Sequence, residues 1–415
     1  MRRVVITGMG ALTPIGNNVT EFWKNAIDGK SGSGPISTFD TTNFKTKFAC
    51  ELKNYNPLDH FDRKEVKTYD LFTQYALVAV NEAVNDASIE FSKLDLDRIG
   101  VIWGSGNGGI QTFEEQMKEY FQGDGTPRFS PFFIPRILVD IAAGIISMKY
   151  GLRGVNYCPV SACATSTTAI IDAFNYIRWN KADVILTGGS EAAICPATVG
   201  GFGAAKALST DNDNFATASK PFDTERNGFV MGEGSGALLL EEYEHAIRRG
   251  AKIYGEIVGG GMAGDAYHLT GTHPEGRGAV RGMSLAIEEA GITPDDVDYV
   301  NMHATSTPLG DKSELIAVEK LFGRRRSLTL GGTKSMTGHL LGAAGAIEAI
   351  LSVKALQEQI VPPTINTKNI EPEFKDMFDF PLDKSVKRKL NFALSNTFGF
   401  GGHIAAVLFK RYEQV

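Results

Sequence analysis

Cysteine is scarce in this chain, and none of its four cysteines belongs to a CxxC pair. Neither a disulfide framework nor a zinc ribbon is therefore predicted. Long apolar runs are also missing, since no segment approaches the roughly 18 uninterrupted apolar residues that a membrane-spanning helix needs. The arginines near the N-terminus precede only a short apolar run, Val4 to Ile6, which is typical of a strand rather than a signal peptide. We expect a cytoplasmic protein that does not contact a membrane.

An excess of basic charge is absent too, because the formal net charge is -6 at pH 7. Binding to nucleic acid is dominated by basic charge, so no nucleic-acid partner is expected. Hydrophobic residues make up 43% of the 415 positions and charged residues 22%, which is enough to build a full core. The length exceeds that of most single domains and favours two domains or one doubled domain.

What the chain does have is a regular alternation of short and long apolar patterns. Short apolar runs bounded by glycine or polar residues predict buried strands at 3–8, 98–104, 183–188 and 299–302. Longer periodic stretches predict helices at 71–87, 164–179, 279–290 and 343–356. This alternation predicts an α/β protein with largely parallel sheets.

Two short segments of the chain resemble each other. The sequence SACATST at 161–167 is similar to NMHATST at 301–307, and each follows a strand-like run. The similarity places Cys163 and His303 at matching positions and suggests two copies of one unit, whose equivalent turns would face each other. Chance identity is the alternative for so short a match.

Cys163 stands out among the cysteines because it lies at a predicted strand-to-helix junction. Unpaired N–H groups at a helix start and the helix dipole stabilise negative charge, so a reactive thiolate is expected here. A buried structural cysteine is the commoner fate of a lone thiol. We assign that structural role to Cys50, Cys158 and Cys195.

Two glycine-rich motifs in the C-terminal part carry further candidate residues. Residues 331–345 place Lys334 and His339 among five glycines, a pattern that predicts close approach of the backbone to a polar site. The alternative is a plain glycine-rich loop with a solvated lysine. Residues 395–403 (SNTFGFGGH) surround Phe400 with glycine just before the terminal strand. That motif is typical either of a gate or of a simple hairpin.

Three further patterns are too weak to support a site. Residues 104–109 match GxGxxG after a strand, but no strand ending in an acidic residue follows at the distance that a dinucleotide site needs. The sequence GKS at 29–31 lacks the first glycine of a P-loop. His268 and His273 have no CxxC pair to complete a zinc site. Neither a nucleotide nor a metal ion is predicted.

Taken together, the ordered motifs resemble those of the β-ketoacyl-acyl-carrier-protein synthases, in particular the elongating enzymes of type II fatty-acid synthesis. The similarity begins with VVITGMG at 4–10, continues through 200–209, 222–229 and 264–268, and reaches the final strand. The resemblance implies a thiolase-like fold, in which two duplicated α/β halves pack as a five-layered αβαβα sandwich, and it implies a homodimer. We place the N-terminal half, with the cysteine, at residues 1–250 and the C-terminal half, with the histidines, at 251–415.

The resemblance also implies a reaction and its residues. The family nucleophile corresponds to Cys163 and the two catalytic histidines to His303 and His339. Lys334 matches a lysine expected to orient a histidine or an acidic partner, and Phe400 matches a gate whose backbone N–H helps to hold an oxyanion. The implied reaction is decarboxylative condensation of a cysteine-bound acyl group with malonyl-acyl-carrier protein, which gives 3-oxoacyl-acyl-carrier protein and CO2. No cofactor is expected, because phosphopantetheine arrives on the acyl carrier protein.

Substrate and carrier contacts follow from the same resemblance. Thr305 and Thr307 match threonines that bind the pantetheine amides, with helix capping as the alternative role. Phe202 falls in the family's acyl pocket. Asn107 departs from the pattern, because an apolar residue usually lines the acyl pocket there. Docking positions for the acidic carrier protein, each with a solvated surface charge as the alternative, fall on Lys64, Lys67, Arg128 and Lys206.

Other members of the wider superfamily fit less well or stay open. A starter condensing enzyme pairs its cysteine and histidine with an asparagine, which the motif from Lys334 to His339 counts against. A thiolase needs a second reactive cysteine near the C-terminus, and none follows Cys195. A noncatalytic subunit of the chain-length-factor type lacks the nucleophile. A polyketide-type ketosynthase shares the cysteine and both histidines and remains an alternative.

Overall fold

Residues 1–413 are described in a computed structural model. They form a mixed α/β structure in which both strands and helices carry buried apolar residues. The strands are β1 Val4–Leu12, β2 Gly34–Pro35, β3 Phe48–Ala49, β4 Ile99–Gly104, β5 Asn156–Tyr157, β6 Val184–Glu191, β7 Gly234–Glu242, β8 Gly255–Gly264, β9 Tyr299–Asn301, β10 Thr329–Gly331, β11 Ile360–Val361, β12 Val386–Lys387, β13 Phe392–Gly399 and β14 His403–Arg411.

Thirteen α-helices connect and cover these strands in the described residues. Two short 3₁₀ turns, Ala162–Ala164 and Leu341–Ala343, lead into α7 and α13 of the following list. The helices are α1 Val19–Ile27, α2 Arg63–Thr68, α3 Leu71–Asp86, α4 Ile110–Gln122, α5 Phe133–Ile137, α6 Ile141–Tyr150, α7 Thr165–Arg178, α8 Pro196–Ala204, α9 Tyr243–Arg248, α10 Arg277–Ala290, α11 Pro308–Phe322, α12 Lys334–Thr337 and α13 Ala344–Glu358.

Ten of the strands form one hydrogen-bonded sheet in the order β5, β4, β6, β7, β1, β8, β14, β13, β9, β10. Its middle is narrow, because β1 pairs with β8 only from Val4 opposite Ile257 to Ile6 opposite Gly255. The sheet is therefore two half-sheets of five strands each, joined at β1 and β8.

Helices separate and cover the two half-sheets. Helix α7 packs on β4 and β6 of the first half-sheet and on β8 and β14 of the second, while α13 packs on β7 and β13. Helix α3 covers the outer face of the first half-sheet and α10 that of the second. The layers thus run helix, sheet, helix, sheet, helix, and the predicted five-layered sandwich of two α/β halves is confirmed.

The sheet is less parallel than the alternation of elements predicts. Pairs β4 with β5, β4 with β6, β9 with β10 and β9 with β13 are parallel. Strands β1, β7, β8 and β14 pair antiparallel with their neighbours. The prediction of largely parallel sheets is wrong for the centre of the sheet. There β13 and β14 form a hairpin, and the long connection after β6 leads into β7, which pairs antiparallel with β6.

Helix α13 shows why the central layer forms from this sequence. Twelve of its fifteen residues are buried, since it is apolar on all sides and packs between both half-sheets. Glycine at 345 allows the close approach to α7, because a Cβ there would lie 1.9 Å from Oγ1 of Thr167. The one acidic residue buried in this helix, Glu348, therefore sits in the centre of the molecule.

The two halves do not match Cys163 with His303. Counted from the outer edges of the sheet, β5 corresponds to β10 and β4 to β9. Cys163 follows β5, so its counterpart is the turn Leu341–Ala343 before α13, where Leu341 has φ 48° as Ala162 has φ 51°. His303 follows β9 and corresponds to the loop after β4. The predicted equivalence is wrong, and the shared letters ATST reflect chance.

The halves share one apolar core. Residues of β1, such as Val4, and of β14, such as Val407, belong to the same buried cluster. The predicted boundary between residues 250 and 251 lies in the connection from α9 to β8. That residues 1–250 and 251–415 are separate domains stays a prediction, and the last two residues lie outside the described part. None of the helices in that part has the length and hydrophobicity that crossing a membrane requires.

Candidate active site

A cavity of about 330 Å³ opens where the ends of β9, β13 and β14 meet the start of α7. The turn before α7 and the loops after β9 and β10 supply its polar groups, while α8 and the β13–β14 turn supply aromatic rings. Eight of the residues singled out from the sequence line it: Cys163, Phe202, Lys206, His303, Thr305, Thr307, His339 and Phe400.

Cys163 lies in the turn Ala162–Ala164 that leads into α7. The preceding Ala162 has φ 51°, a left-handed conformation that non-glycine residues rarely adopt and that tends to mark functional sites. Gly399 packs against this turn, because a Cβ on it would lie 2.4 Å from the carbonyl oxygen of Ser161. The β13–β14 turn is thereby brought next to the thiol, and the backbone N–H groups of Cys163 and Phe400 face the sulfur.

Burial outweighs the helix start in setting the state of this thiol. Burial raises the pKa of Cys163 to about 12, although Lys334 and the backbone N–H groups of Phe400 and Cys163 favour the thiolate. The expectation of a resting thiolate is therefore wrong, because desolvation of the charged form exceeds the stabilisation from the helix end. Cys163 rests as a thiol and has to lose its proton during the reaction.

His303 follows β9 and is fixed through its backbone. The carboxylate of Glu314 on α11 accepts the backbone N–H of His303 at 2.8 Å and that of Ala304 at 2.9 Å. The side-chain amide of Asn396 donates to the same carboxylate at 3.1 Å. Ala304 has φ 35° and Ser306 φ 70°, so these contacts hold a strained loop in place.

His339 reaches the cavity from the glycine-rich motif after β10. Its backbone N–H donates to the carbonyl of Val230 at 2.7 Å, and its carbonyl accepts from Gly232 at 2.9 Å. Gly338 before it has φ 66°, which favours glycine at this position. The imidazole packs edge-on against Phe229, with ring centres 5.3 Å apart.

The two imidazoles form a perpendicular pair, with ring centres 5.2 Å apart. Burial and the positive charge of Lys334 lower the pKa of both His303 and His339 well below the usual histidine value, so both rings are neutral. In each ring Nδ1 is buried without a partner, which leaves Nε2 to face the cavity. A buried N–H without an acceptor costs more than an unpartnered nitrogen lone pair, so the contacts favour the tautomer with the proton on Nε2.

Lys334 is buried behind the histidines and forms an ion pair with Glu348 of α13. Both side chains are buried, and burial raises the pKa of Glu348 to about 7 while Lys334 opposes that shift. The acidic partner expected for this lysine is thus Glu348. Lys334 acts on the cavity through its charge, which lowers the pKa of Cys163 and of both histidines.

Thr305 and Thr307 point the same way along the cavity wall. Their hydroxyl oxygens are 3.0 Å apart, and both side chains line the cavity. Thr307 is the N-cap residue of α11, but its side chain makes no capping hydrogen bond. One of the two hydroxyl groups donates to the other, which leaves one hydroxyl hydrogen and the oxygen lone pairs available to a ligand.

Phe400 stands at the tip of the β13–β14 hairpin. Its ring lies 6.1 Å from that of Phe202 on α8, and Phe202 lies 5.4 Å from Phe229. Gly401 and Gly402, with φ 89° and 77°, complete the turn. The motif is thus a hairpin whose turn places an aromatic ring at the cavity, and that this ring acts as a gate stays a prediction.

Besides Lys334, which lies behind the histidines, four predicted positions do not reach this cavity. Asn107 lies behind the Cys163 turn, where its backbone N–H donates to Glu191 at 3.0 Å. Lys64 and Lys67 are exposed on α2, and Arg128 is exposed beyond α4, where it pairs with Asp124. Of the four basic positions, only Lys206 lines the cavity, and it is exposed there. The roles predicted for Asn107 and for the other three stay predictions.

Three buried acids surround the site without a motif that points to them. They are Glu191 at the end of β6, Glu314 on α11 and Glu348 on α13. A lone acid inside an otherwise apolar helix pattern, as at 344–356, is the one signal that could have marked Glu348. Glu191 binds backbone groups far away in the sequence, and Glu314 binds those of a loop outside its own helix, which no local pattern encodes.

The patterns set aside in the sequence have ordinary contacts. The loop at 104–109 gives backbone N–H groups to Glu191, where a phosphate would meet a carboxylate. His268 accepts the backbone N–H groups of Thr270 and Gly271, and His273 packs against Tyr267 with ring centres 4.9 Å apart. Within residues 1–413 no group of three or more His, Cys, Asp or Glu side chains could hold a metal ion.

Known proteins share this arrangement along almost the whole chain. Residues 1–246 match the family described as Beta-ketoacyl synthase, N-terminal domain, and residues 254–368 match its C-terminal domain. The 3-oxoacyl-[acyl-carrier-protein] synthase 2 of Staphylococcus aureus (strain COL) is 48% identical over 413 residues, 99% of both chains. The protein of the same name from Synechocystis sp. is 45% identical, again over 99% of both.

Solved structures agree with the sequence matches. A beta-ketoacyl synthase from Burkholderia phymatum STM815 superposes with a TM-score of 0.88 at 32% identity and covers 100% of both chains. A second structure, described as a type II PKS acyl-carrier protein in complex with its ketosynthase bound to the hexaketide, gives a TM-score of 0.90 at 32% identity. It covers 99% of this chain and 100% of its own.

Proposed function

This chain belongs to the β-ketoacyl synthase family, and from that membership and the geometry of the cavity we propose that it elongates fatty acyl chains. The reaction is decarboxylative condensation of an acyl group on Cys163 with malonyl-acyl-carrier protein, giving 3-oxoacyl-acyl-carrier protein and CO2. The observation that carries this proposal is the meeting of one thiol, two neutral imidazoles and a backbone N–H turn in one cavity. The 3-oxoacyl-[acyl-carrier-protein] synthase 2 relative is 48% identical to this chain, whereas the solved polyketide ketosynthase is 32% identical. The higher identity favours fatty-acid elongation over polyketide synthesis.

In the first half-reaction the sulfur of Cys163 attacks the acyl thioester of a carrier protein. A new thioester forms on Cys163 and the bond to the carrier sulfur breaks. The thiol proton passes to the departing carrier sulfur, so the exchange involves no net change in protons. The charge of Lys334 and the backbone N–H groups at Cys163 and Phe400 assist, because they stabilise negative charge on the attacking sulfur.

In the second half-reaction the malonyl group loses CO2 and leaves an enolate. The negative charge develops on the thioester oxygen, which needs N–H donors at fixed positions. His303 and His339 supply two such donors, since both rings are neutral and each can present Nε2–H to the cavity. The enolate carbon then attacks the acyl carbonyl on Cys163.

Collapse of the tetrahedral adduct releases the product. Its oxyanion forms next to the sulfur of Cys163. The backbone N–H groups of Cys163 and Phe400, which face that sulfur, are therefore close enough to stabilise the oxyanion. Breaking the carbon–sulfur bond returns the electron pair to the sulfur of Cys163, which takes up one proton from solvent, so the overall condensation consumes one proton. The Phe400 turn thus contributes to both half-reactions through its backbone, while its ring lies 6.1 Å from that of Phe202 in the wall of the cavity.

The partner that we propose is an acyl carrier protein in its acyl and malonyl forms. The solved ketosynthase of similar fold is described in complex with such a carrier, which supports this assignment. The hydroxyl groups of Thr305 and Thr307 are placed to bind the amides of the carrier's phosphopantetheine arm. Lys206 at the cavity, with Lys64, Lys67 and Arg128 elsewhere on the surface, would meet the acidic carrier. The chain itself needs no cofactor in this proposal.

We further propose that the chain works as a homodimer. Large apolar side chains are exposed on α4 and α6, including Phe121 at 75% and Met148 at 72%. Helix α6 packs on β5, which is the edge strand of the large sheet and offers unpaired backbone groups. Light scattering should give twice the mass of one chain, and a monomer at micromolar concentration would contradict this part of the proposal.

The cytoplasm is the compartment that we propose for this activity. All four cysteines are free thiols, as is usual for proteins of a reducing compartment. Cell fractionation with an antibody to the chain tests this assignment, and recovery in a membrane or secreted fraction would contradict it.

Acylation of Cys163 is the direct test of the proposed function. The protein is incubated with an acyl-loaded carrier protein, digested and examined by mass spectrometry. We expect the acyl mass on the peptide that contains Cys163, and none in the Cys163→Ala variant. Absence of an adduct on the wild-type protein would refute the proposal, whereas an adduct on Cys50, Cys158 or Cys195 would refute the assignment of the nucleophile.

A further inference from the structure

Behind the turn of Cys163 lies a carboxylate that the reaction described above does not use. Glu191 ends β6 and is fully buried. Its Oε2 accepts the backbone N–H groups of Gly106 and Gly342, both at 2.9 Å. Its Oε1 accepts the backbone N–H of Asn107 at 3.0 Å and the hydroxyl of Ser105 at 3.3 Å. These four donors belong to two segments that are more than 200 residues apart in the sequence.

Both segments border the nucleophile. Residues 105–107 follow β4, and Gly342 lies in the turn Leu341–Ala343, which packs against the turn Ala162–Ala164 of Cys163. No side chain fits between them: a Cβ on Gly342 would lie 2.5 Å from the backbone nitrogen of Gly106 and 2.6 Å from Oε2 of Glu191. The carboxylate therefore joins the two backbones directly.

The contacts of Glu191 favour its ionised form. Three of its four partners are backbone N–H groups, which can only donate, so a protonated carboxyl would find an acceptor in Ser105 alone. Burial raises the pKa of Glu191, and the N–H groups oppose that shift. The ionisable groups near the sulfur of Cys163 are Lys334, Glu191 and the two histidines, and the charge of Glu191 acts against the thiolate.

We propose that Glu191 is a positioning residue for the condensation, because its carboxylate holds the loop at 105–107 and the turn Leu341–Ala343 in the arrangement that places Cys163. A second consequence follows from its charge, which disfavours the thiolate of the free enzyme. The inference rests on the proposed function, since it assigns Glu191 a part in the same reaction.

Two substitutions distinguish the effect of the negative charge of Glu191 from the effect of its side-chain length. Glu191→Gln keeps the length and removes the charge, whereas Glu191→Asp keeps the charge and shortens the side chain. The first measurement is alkylation of Cys163 by iodoacetamide at pH 8, followed peptide by peptide, which needs no substrate. The second is the kcat and KM of condensation with acyl and malonyl carrier proteins.

We expect the two variants to differ in alkylation and to agree in condensation. In Glu191→Gln, iodoacetamide should alkylate Cys163 about two- to fourfold faster than in the wild type, because loss of a nearby negative charge favours the thiolate. The increase is small because a thiol of lower pKa gives a weaker nucleophile. Glu191→Asp should not alkylate faster than the wild type. Both should lose about tenfold or more in kcat with KM within about twofold, since the positioned sulfur is what each one disturbs.

A matched control is Glu82 on α3, whose carboxylate also joins backbones. It accepts the N–H groups of Ala11 and Val19, each at 2.8 Å, in an outer layer of the molecule. Glu82→Gln should lower the midpoint of urea unfolding without changing the alkylation of Cys163 or kcat. A change in Cys163 alkylation equal to that of Glu191→Gln would show that any buried carboxylate has this effect and would overturn the inference.

Other results would also overturn it. Wild-type kcat in both Glu191 variants would do so, and so would equal alkylation rates in Glu191→Gln and Glu191→Asp. If Glu191→Gln does not fold, kcat and KM of Glu191→Asp decide: a loss in kcat alone supports the inference, and wild-type kcat contradicts it. Failure of the proposed function is seen separately, as absence of an acyl adduct on the wild-type protein.

Discussion

At Cys163, burial and the surrounding charges act in opposite directions. Burial and Glu191 favour the thiol, while Lys334 and two backbone N–H groups favour the thiolate, and the resulting pKa of about 12 keeps the proton on the sulfur. A protected thiol resists oxidation and stray alkylation between turnovers. The incoming thioester supplies a leaving sulfur that accepts this proton, so the site does not need a permanent thiolate.

The two histidines give the first prediction at the residue scale. Replacing either His303 or His339 by Ala should slow the release of CO2 from malonyl carrier protein about 10²- to 10³-fold, the usual cost of one oxyanion donor. Acylation of Cys163 by an acyl carrier protein, measured by mass spectrometry in the same variants, should be much less affected. Undiminished CO2 release in both variants would contradict the role of the histidines.

The protonation state of these rings gives a second prediction. Their pKa values are lowered well below the usual histidine value, so the neutral N–H donors persist in mild acid. The rate of CO2 release by the wild-type protein should therefore stay level from about pH 8 to about pH 6. A fall with a midpoint near 6.5, the ordinary value for histidine, would show that at least one ring titrates as in water.

The buried ion pair of Lys334 and Glu348 gives a third prediction, which concerns stability. Lys334→Met leaves the Glu348 carboxylate without its cation, which should lower the free energy of unfolding by about 3–5 kcal/mol. The double variant Lys334→Met with Glu348→Leu should recover most of that loss, because no uncompensated charge stays buried. Urea unfolding measures both, and a Lys334→Met protein as stable as the wild type would contradict the pairing.

At the scale of elements, the site depends on how closely the β13–β14 hairpin approaches α7. A Cβ on Gly399 would lie 2.4 Å from the carbonyl oxygen of Ser161 and 3.1 Å from the backbone nitrogen of Cys163. Gly399→Ala should therefore push the Phe400 turn away from the sulfur and slow acylation about tenfold or more. Gly34→Ala, whose Cβ would meet only the Lys53 ammonium at 3.5 Å, is the control and should acylate at the wild-type rate.

Contacts between different helices, strands and loops limit how much of the site the sequence alone predicts. Cys163, His303, His339 and Phe400 each stand in a motif of glycine and small residues, because backbone must approach backbone at the cavity, and such motifs are visible locally. Glu191, Glu314 and Glu348 bind groups from other elements, so their contacts exist only after folding.

The errors of prediction have the same origin. The match of Cys163 with His303 relied on four identical residues, ATST, whereas the counterpart of Cys163 in the sheet order is the turn Leu341–Ala343, which shares only its last alanine with the turn Ala162–Ala164. A thiolate was expected from the helix start, whereas desolvation of the sulfur raises the pKa of Cys163. Antiparallel pairing at the centre of the sheet depends on where the long segment after β6 rejoins the sheet as β7. The periodicity of apolar residues does not encode that position.

At the scale of the whole molecule, burial of the two histidines couples stability to pH. Their pKa values in the folded protein are below the ordinary value, so under about pH 6.5 the unfolded chain binds more protons than the folded one. The contribution of the histidines to stability is therefore complete above that pH and is lost as the pH falls, by about 1.4 kcal/mol per pH unit for each ring. Urea unfolding of the wild type and of His303→Gln with His339→Gln should show a steeper decline for the wild type, and parallel curves would contradict neutral buried rings.

The coupling of the two half-reactions at Cys163 is tested most directly by a chase. Acyl-enzyme is prepared with an acyl carrier protein, freed from carrier, and mixed with malonyl carrier protein. We predict that the acyl mass leaves the Cys163 peptide at the rate at which 3-oxoacyl carrier protein, longer by two carbons, and one equivalent of CO2 appear. An acyl-enzyme that persists, or that is hydrolysed while no 3-oxoacyl product forms, would contradict the assignment of this cavity as a condensing site.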